Sequence, residues 1–300
     1  MEFWLEPLFC DRLAAMNSLA RLLIRCPDQP GIIAAVTNFL HQHGANVTDL
    51  DQHAEEGQNS TFWMRLELQT PKLDLQGSAL KQAFQGEIAD RFAMDWKLSY
   101  AADRPRTVIF VSRYDHALLE LLWRLKRGDI AADLAMVISN HTDLANAVED
   151  FGVPFHHVPV TKQNKAEAEA QILDLISGQD DLLVLARYMQ ILSGDFVARY
   201  PNRIINIHHS FLPAFAGADP YAQAMERGVK IIGATAHYVT EELDAGPIIE
   251  QSVSHVSHRH SLRELKQLGR DIERRVLAQA VQWHVEDRIL VDGNKTIVFS

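Results

Sequence analysis

Cysteine, positive charge and long apolar runs are all scarce in this chain of 300 residues. Its only two cysteines, Cys10 and Cys26, are too few for a disulfide framework or a cysteine-rich zinc site. The net charge of -10 argues against nucleic acid or an anionic membrane as the main partner. No apolar run approaches the roughly 18 residues of a membrane span, and the first residues make a poor signal peptide. We therefore expect a cytoplasmic protein.

The N-terminal third alternates between strand and helix patterns. Residues 1–19 are expected to form an extension, and residues 20–101 follow the order strand, helix, strand, strand, helix, strand. This βαββαβ order is typical of a ferredoxin-like layer of helices on one antiparallel sheet. The first helix is predicted from a stripe of apolar residues at helical spacing, namely Ile32, Val36, Phe39 and Leu40.

The pattern changes after residues 102–106, which contain Pro105 and are the predicted linker. Between residues 107 and 300, short apolar strands alternate with helices before a more antiparallel tail. Such alternation predicts an α/β domain with a doubly wound, mostly parallel sheet. The predicted strands of the parallel part are residues 107–112, 133–139, 155–160, 182–187 and 203–207.

Polar side chains collect at the end of the last of these strands, in the segment NIHHSFLPAF at residues 206–215. Ligands of open α/β sheets lie beyond the carboxyl ends of the strands, so a site is expected here. Asn206 could donate to a developing oxyanion, His208 could carry a proton, and Asp244 could hold that histidine cationic or take a proton from water. The absence of a G-x-S-x-G motif favours direct attack over a covalent acyl-enzyme. A purely structural role as turn caps is the alternative.

The segments NIHHSFLPAFAGADPY and GATAHYVTEELDAGPIIEQ resemble the signature of the folate-dependent formyltransferase family. The resemblance implies an Asn–His–Asp catalytic triad at Asn206, His208 and Asp244. LARYMQILS, residues 185–193, is similar to the segment that forms the pterin pocket in that family. Folate-binding roles are therefore implied for Met189, Gln190, Leu192, His209 and Gly246.

RCPDQPGIIAAV, together with the βαββαβ order, resembles an ACT domain, a small-ligand regulatory module. This resemblance implies an amino-acid effector, with glycine or methionine as candidates, and a homo-oligomer formed through adjoining sheets. The effector is expected at Asp28, Gly31 and Asn46. A domain that only mediates assembly is the alternative.

The full combination resembles the branch of the family that hydrolyses 10-formyltetrahydrofolate to tetrahydrofolate and formate. That reaction would supply formate for purine synthesis and balance the one-carbon folate pool, with no tightly bound cofactor. FVSRYDHALLEL, residues 110–121, has no glycine where transferases of phosphorylated amines place a glycine-rich phosphate turn. Water as the acceptor requires no such turn. A formyltransferase for a small amine is the alternative, and a non-catalytic folate or amino-acid sensor is a third class that the complete triad disfavours.

Two charged segments are assigned no site. His255, His258 and His260 lack metal-ligand spacing and are expected to be solvated turn residues, so no metal is predicted. RDIERRVL, residues 270–277, is most simply a charged helix face, with Asp271 and Arg275 at i,i+4.

Overall fold

The structure is a computed structural model that describes residues 18–57, 60–213 and 220–300. The predicted N-terminal extension therefore lies outside the described residues except for its last two positions. The chain divides into two compact units, and the boundary between Arg104 and Pro105 lies inside the segment predicted as the linker. The second unit consists of Pro105–Val285 and Val291–Thr296, and the other described residues belong to the first.

The first unit is built on a four-stranded antiparallel sheet in the order β2-β3-β1-β4, which confirms the predicted ferredoxin-like ACT fold. The apolar stripe that predicted the first helix is buried against this sheet. The elements are β1 (Leu19–Pro27), α1 (Ile32–Gln42), β2 (Asn46–Ala54), β3 (Thr61–Gln69), α2 (Gly77–Phe84), a π-helical turn (Gln85–Ala89), α3 (Asp90–Phe92) and β4 (Asp95–Tyr100).

Residues from the end of the chain, Glu286–Leu290 and Ile297–Ser300, also pack in the first unit. Arg65 on β3 is 1% exposed, and its guanidinium donates to the carbonyl oxygens of Glu286 and Asp287 at 3.1 and 2.9 Å. A buried guanidinium must have its donors satisfied, and these carbonyls help to do so. This packing differs from the prediction that residues 107–300 form one domain, because the contacts join positions more than 200 residues apart.

The second unit contains a seven-stranded sheet in the order β11-β10-β9-β8-β5-β6-β7. Its elements are β5 (Arg106–Val111), α4 (His116–Arg127), β6 (Asp133–Ser139), α5 (Ala145–Glu149), β7 (Phe155–His157), α6 (Lys165–Ile176), β8 (Leu182–Ala186), α7 (Gly194–Val197), β9 (Ile204–His208), α8 (Pro220–Arg227), β10 (Ile231–Tyr238), β11 (Ile248–His255) and α9 (Leu262–Val285). A hairpin of β12 (Ile289–Asp292) and β13 (Lys295–Val298) follows.

The direction of the strands fixes where a ligand can bind. Strands β5 to β9 run parallel, whereas β10 and β11 are antiparallel, which confirms the predicted mostly parallel sheet. Strands β6 and β7 follow β5 on one side of it, and β8 and β9 lie on the other side. The reversal between β5 and β8 creates a crevice at the carboxyl ends of the strands.

Helix α9 starts from a capping box. The Ser261 side chain accepts from the backbone N–H of Glu264 at 3.3 Å, and the Glu264 carboxylate accepts from the N–H of Ser261 at 2.7 Å. The capping box defines the first residue of this helix, which is 24 residues long. One face of the helix lines the crevice.

Candidate active site

A pocket of about 590 Å³ lies at the carboxyl ends of β5, β8 and β9. Its walls come from the loops after these strands, from the β10–β11 loop, from α8 and from one face of α9. The predicted triad residues Asn206, His208 and Asp244 all line it, as does His209. The pocket therefore occupies the crevice that the strand order creates.

Strand β9 supplies two of the three triad residues. Asn206 and His208 are two positions apart, so their side chains lie on the same face of the strand. His208 is the last residue of β9 and is only 7% exposed. Its position at the strand end lets its ring reach the pocket while the backbone stays in the sheet.

Asp244 reaches the same point from the β10–β11 loop. Its Oδ2 lies 3.1 Å from Nδ1 of His208, and its backbone is in the left-handed region with φ of 55°. The hydrogen bond from His208 holds the pKa of the Asp244 carboxyl well below its usual range. Asp244 is therefore a carboxylate at neutral pH, and Nδ1 of His208 carries a proton.

Gly246 allows the Asp244 loop to approach β10. A Cβ at this position would lie 1.9 Å from the carbonyl oxygen of Tyr238. The loop is held at that distance because the N–H of Tyr238 donates to the carbonyl of Pro247 at 2.9 Å. Gly246 was predicted to bind folate, but it does not line the pocket, and its close backbone packing lies beneath Asp244.

A further histidine, His237 on β10, lies behind the triad. Its Nε2 is 3.2 Å from Nδ2 of Asn206 and 3.6 Å from Oδ1 of Asp244. This residue belongs to the segment GATAHYVT, and no role was predicted for it. His237 and Thr235 are two positions apart on β10, and residues two apart share one face of a sheet. This spacing could have predicted that His237 faces the same side as Thr235, which pairs with His208.

His209 packs beside the triad. Its ring centroid is 5.2 Å from that of His208 and 6.2 Å from that of Tyr221. Burial, with a contribution from the nearby positive charge of Arg187, lowers the pKa of His209 to about 4. The ring is therefore neutral at physiological pH.

The opposite wall of the pocket is organised by Glu273 on α9, which is 1% exposed. His116 Nε2 and the Tyr221 hydroxyl each donate to its carboxylate at 2.8 Å. Arg187 Nη1 lies 3.5 Å from the same carboxylate, and the guanidinium is 4.8 Å from the ring centre of Tyr114. Burial acts to raise the pKa of Glu273, but hydrogen bonding to His116 and the charge of Arg187 outweigh it, so the pKa is lowered.

Glu273 belongs to the segment that was predicted to be only a charged helix face, and that prediction is wrong at this residue. The face does carry an ion pair, but it joins Asp271 to Arg274 at 3.2 Å. Arg275 donates instead to the backbone carbonyl of Asp271 at 3.2 Å. Glu273 points the other way because its carboxylate is satisfied by donors from distant parts of the chain.

The spacing of charged residues along α9 could have predicted which side of this helix lines the pocket. Lys266, Arg270 and Glu273 follow the pattern i, i+4, i+7, which puts them on one side of a helix, and all three line the pocket. Arg187 gave a different signal. A residue directly after a buried parallel strand stands where ligands bind, and its φ of 64° is unusual for a residue other than glycine.

The predicted folate-binding residues divide into two groups. Met189, Gln190 and His209 line the pocket, and Met189 is 57% exposed with φ of 58°. Leu192 packs against the hydrophobic cluster beneath the sheet and does not line the pocket. Its neighbour Ile191 lines the pocket and is 61% exposed.

The residues predicted to bind an effector lie in the first unit. Gly31 occupies the N-cap position of α1 with φ of 95°, in the turn that follows β1. The N–H of Asp28 donates to the carbonyl of Ser60 at 2.8 Å, and Asn46 begins β2. Asp28 and Gly31 are exposed, as an effector site requires.

Metal-binding clusters and membrane-spanning helices are both absent from the described residues 18–57, 60–213 and 220–300. No three His, Cys, Asp or Glu side chains there are grouped so that they could hold a metal ion. No helix within those ranges has the length and apolar content to cross a membrane.

The chain is similar in sequence to proteins of a known family. Residues 105–281 match the Formyl transferase family and residues 20–72 match the ACT domain. The formyltetrahydrofolate deformylase of Bacillus subtilis is 51% identical over 281 residues, which cover 93% of this chain and 93% of that protein. The chain belongs to the formyltetrahydrofolate deformylase family.

Solved structures support this membership. The structure of a formyltetrahydrofolate deformylase from Pseudomonas syringae pv. tomato has a TM-score of 0.91 and 45% identity, with 98% of each chain covered. Glycinamide ribonucleotide transformylase 1 from Symbiobacterium toebii has a TM-score of 0.62 and 29% identity, and covers 66% of this chain and 95% of its own. The deformylase likeness thus extends over nearly the whole chain, and the resemblance seen in the sequence is confirmed.

Proposed function

We propose that this protein hydrolyses 10-formyltetrahydrofolate to tetrahydrofolate and formate, using Asn206, His208 and Asp244. The observation that carries the proposal is the contact of 3.1 Å between His208 and Asp244 at the edge of the pocket that Asn206 also lines. The deformylases that this chain resembles over almost its full length act on the same substrate by name. The formate would supply purine synthesis, and the reaction would balance the one-carbon folate pool.

The formyl carbonyl is bound with its oxygen toward Asn206 and His208. Nδ2 of Asn206 donates one N–H to this oxygen, and a protonated Nε2 of His208 donates another. Nε2 is available because it has no hydrogen-bond partner among the residues that the structure describes, while Nδ1 of the same ring is engaged with Asp244. Both donors stabilise the oxyanion of the tetrahedral intermediate more strongly than they stabilise the ground-state carbonyl.

Asp244 orients the attacking water and keeps His208 cationic. Because the pKa of Asp244 lies well below its usual range, the carboxylate is a poor final acceptor of a proton. The water oxygen bonds to the formyl carbon, and the proton that it loses passes through the Asp244–His208 pair to the leaving nitrogen. The C–N bond then breaks, and the products are tetrahydrofolate and formate.

The loop after β5 fits water as the acceptor. Ser112 at the start of this loop is turned into the protein, where its hydroxyl donates to the carbonyl of Tyr188 at 2.8 Å. Arg113 is largely exposed and lies 3.9 Å from Asp143. No glycine lies between residues 110 and 121, so the turn lacks the residue type that brings backbone amides close to a phosphate.

The test is an assay for formate and tetrahydrofolate after mixing the protein with 10-formyltetrahydrofolate in an amine-free buffer. We expect one formate per tetrahydrofolate without any added acceptor. Asp174→Asn, which removes an exposed carboxylate on α6, provides a matched control and should leave the rate unchanged. Turnover that begins only when a small amine is supplied would identify a transferase and contradict the proposal.

The ACT unit is proposed to bind an amino acid, glycine or methionine, near Asp28, Gly31 and Asn46, and the protein to form homo-oligomers. Support comes from the match of residues 20–72 to the ACT domain and from the exposure of the β1–α1 turn. Equilibrium dialysis with labelled glycine and methionine tests the ligand, and analytical ultracentrifugation tests the assembly. If neither glycine nor methionine bound at millimolar concentration, the proposed effector role of the unit would be contradicted.

A further inference from the structure

His237 faces Asn206 across two antiparallel strands. In the pairing of β10 with β9, His237 stands opposite Asn206 and Thr235 stands opposite His208. The His237 side chain is 2% exposed, so a substrate in the pocket does not touch most of its ring. Any effect of this residue on the reaction must therefore pass through the neighbours that it contacts.

The contacts of the ring define its tautomer. Nδ1 lies 2.9 Å from the carbonyl oxygen of Tyr238, and a carbonyl only accepts, so Nδ1 carries a proton. The neutral ring then has a lone pair at Nε2. Nδ2 of Asn206 lies 3.2 Å from Nε2, so Nε2 accepts one of the two amide hydrogens.

Asp244 is held mainly by a different histidine. Its Oδ2 lies 3.1 Å from Nδ1 of His208, whereas its Oδ1 is 3.6 Å from Nε2 of His237, which is too long for a good hydrogen bond. The two histidines thus contact different residues of the triad. His208 holds Asp244, and His237 holds Asn206.

We propose that His237 is a positioning residue that fixes the orientation of the Asn206 carboxamide. With one N–H bound to Nε2 of His237, the amide nitrogen is locked on that side, and its second N–H is left for the formyl oxygen. Without this acceptor the amide could rotate and present its own oxygen to the developing oxyanion, which would repel it. This inference rests on the proposed deformylase function.

Two substitutions separate the two ring nitrogens. His237→Gln keeps a hydrogen-bonding atom near the place of Nε2, whereas His237→Asn keeps one near the place of Nδ1 and loses the contact with Asn206. We expect His237→Asn to lower kcat by about 10- to 100-fold, as supporting residues behind a reactive group typically do, with little change in KM. His237→Gln should restore kcat to within about 5-fold of the parent protein. A residue that merely fills space would show no such preference for glutamine.

A double-mutant cycle tests whether the effect passes through Asn206. In an Asn206→Ala background, His237→Asn should lower kcat by no more than about 2-fold, because the group that it positions is already gone. An equal loss in both backgrounds would overturn the proposal, and so would a His237→Asn variant with the parent kcat. Circular dichroism and thermal midpoints of all variants reveal misfolding, and the cycle is repeated with His237→Ala, which also loses the contact with Asn206, where the asparagine variant misfolds.

The parent protein in the same assay separates this inference from the function on which it rests. A parent that releases no formate from 10-formyltetrahydrofolate would overturn both. An active parent with independent effects of His237 and Asn206 would overturn only the positioning role.

Discussion

Nδ1 of His208 lies 3.1 Å from Oδ2 of Asp244, and Nε2 of the same ring has no hydrogen-bond partner within the described ranges 18–57, 60–213 and 220–300. One nitrogen of this histidine is thus engaged by a carboxylate while the other is free to act on a substrate. A side chain in a turn-capping role would have its polar atoms satisfied by the backbone. The geometry therefore favours the catalytic interpretation of the polar cluster over the structural one.

His209 makes stability depend on pH. Its pKa of about 4 lies below the value near 6.5 of an unfolded chain, so between these values the unfolded state binds more protons. Stability should therefore fall as pH drops through 6.5 toward 4. At pH 5 this one group should remove up to about 2 kcal/mol relative to neutral pH.

The difference in free energy of unfolding between pH 7 and pH 5, measured in urea, checks this prediction. His209→Gln, which cannot titrate, should lose less stability over this interval than the parent protein. The other histidines contribute equally in both proteins and cancel. An identical pH dependence in the two proteins would contradict the burial of His209 described above.

Gly246→Ala should reduce activity by displacing Asp244. The new Cβ would lie 1.9 Å from the carbonyl oxygen of Tyr238, so the loop must shift. A displacement near 1 Å of a catalytic group can lower the rate by about 100-fold, and kcat of the variant should fall by that order. Gly86→Ala is the control, because its Cβ would have no heavy atom within 4 Å and activity should not change. Equal activities of the two variants would show that the loop tolerates the added atom.

Glu273→Gln should destabilise the protein by about 3–5 kcal/mol, since it leaves the buried cation of Arg187 without its counter-charge. The urea dependence of unfolding provides the measurement. Arg274→Gln removes a half-exposed partner of Asp271 on the same helix and should cost less than about 1 kcal/mol. If both variants lost the same small free energy of unfolding, the Glu273 network would stabilise the protein no more than a surface ion pair does.

Much of the fold could be predicted because local patterns determine it. The stripe from Ile32 to Leu40 marked a helix, and that helix buries the same residues. The short apolar strands after Pro105 marked the parallel sheet, and their carboxyl ends placed Asn206 and His208 at a crevice. Each of these inferences needed only neighbouring residues and the rule that strand ends face ligands.

The residues that were missed depend on contacts between distant parts of the chain. Glu273 looked like one of several charges in RDIERRVL, and only its meeting with His116 and Tyr221 makes it buried. The placement of Asp287 beside Arg65 depends in the same way on the folded chain. Periodicity shows which face of an element is apolar, but it does not show which polar residue finds a partner 52 or 157 positions away.

The most direct test of the account is the rate of formate release by Asp244→Asn in a single-turnover experiment with 10-formyltetrahydrofolate. An asparagine can no longer hold His208 cationic or orient the water as a carboxylate does, so the rate should fall by about 100-fold or more. Asp174→Asn, the exposed control on α6, should react like the parent protein. An Asp244→Asn variant that folds normally and keeps its rate within about 3-fold of the parent would contradict the assignment of Asn206, His208 and Asp244 as the catalytic group.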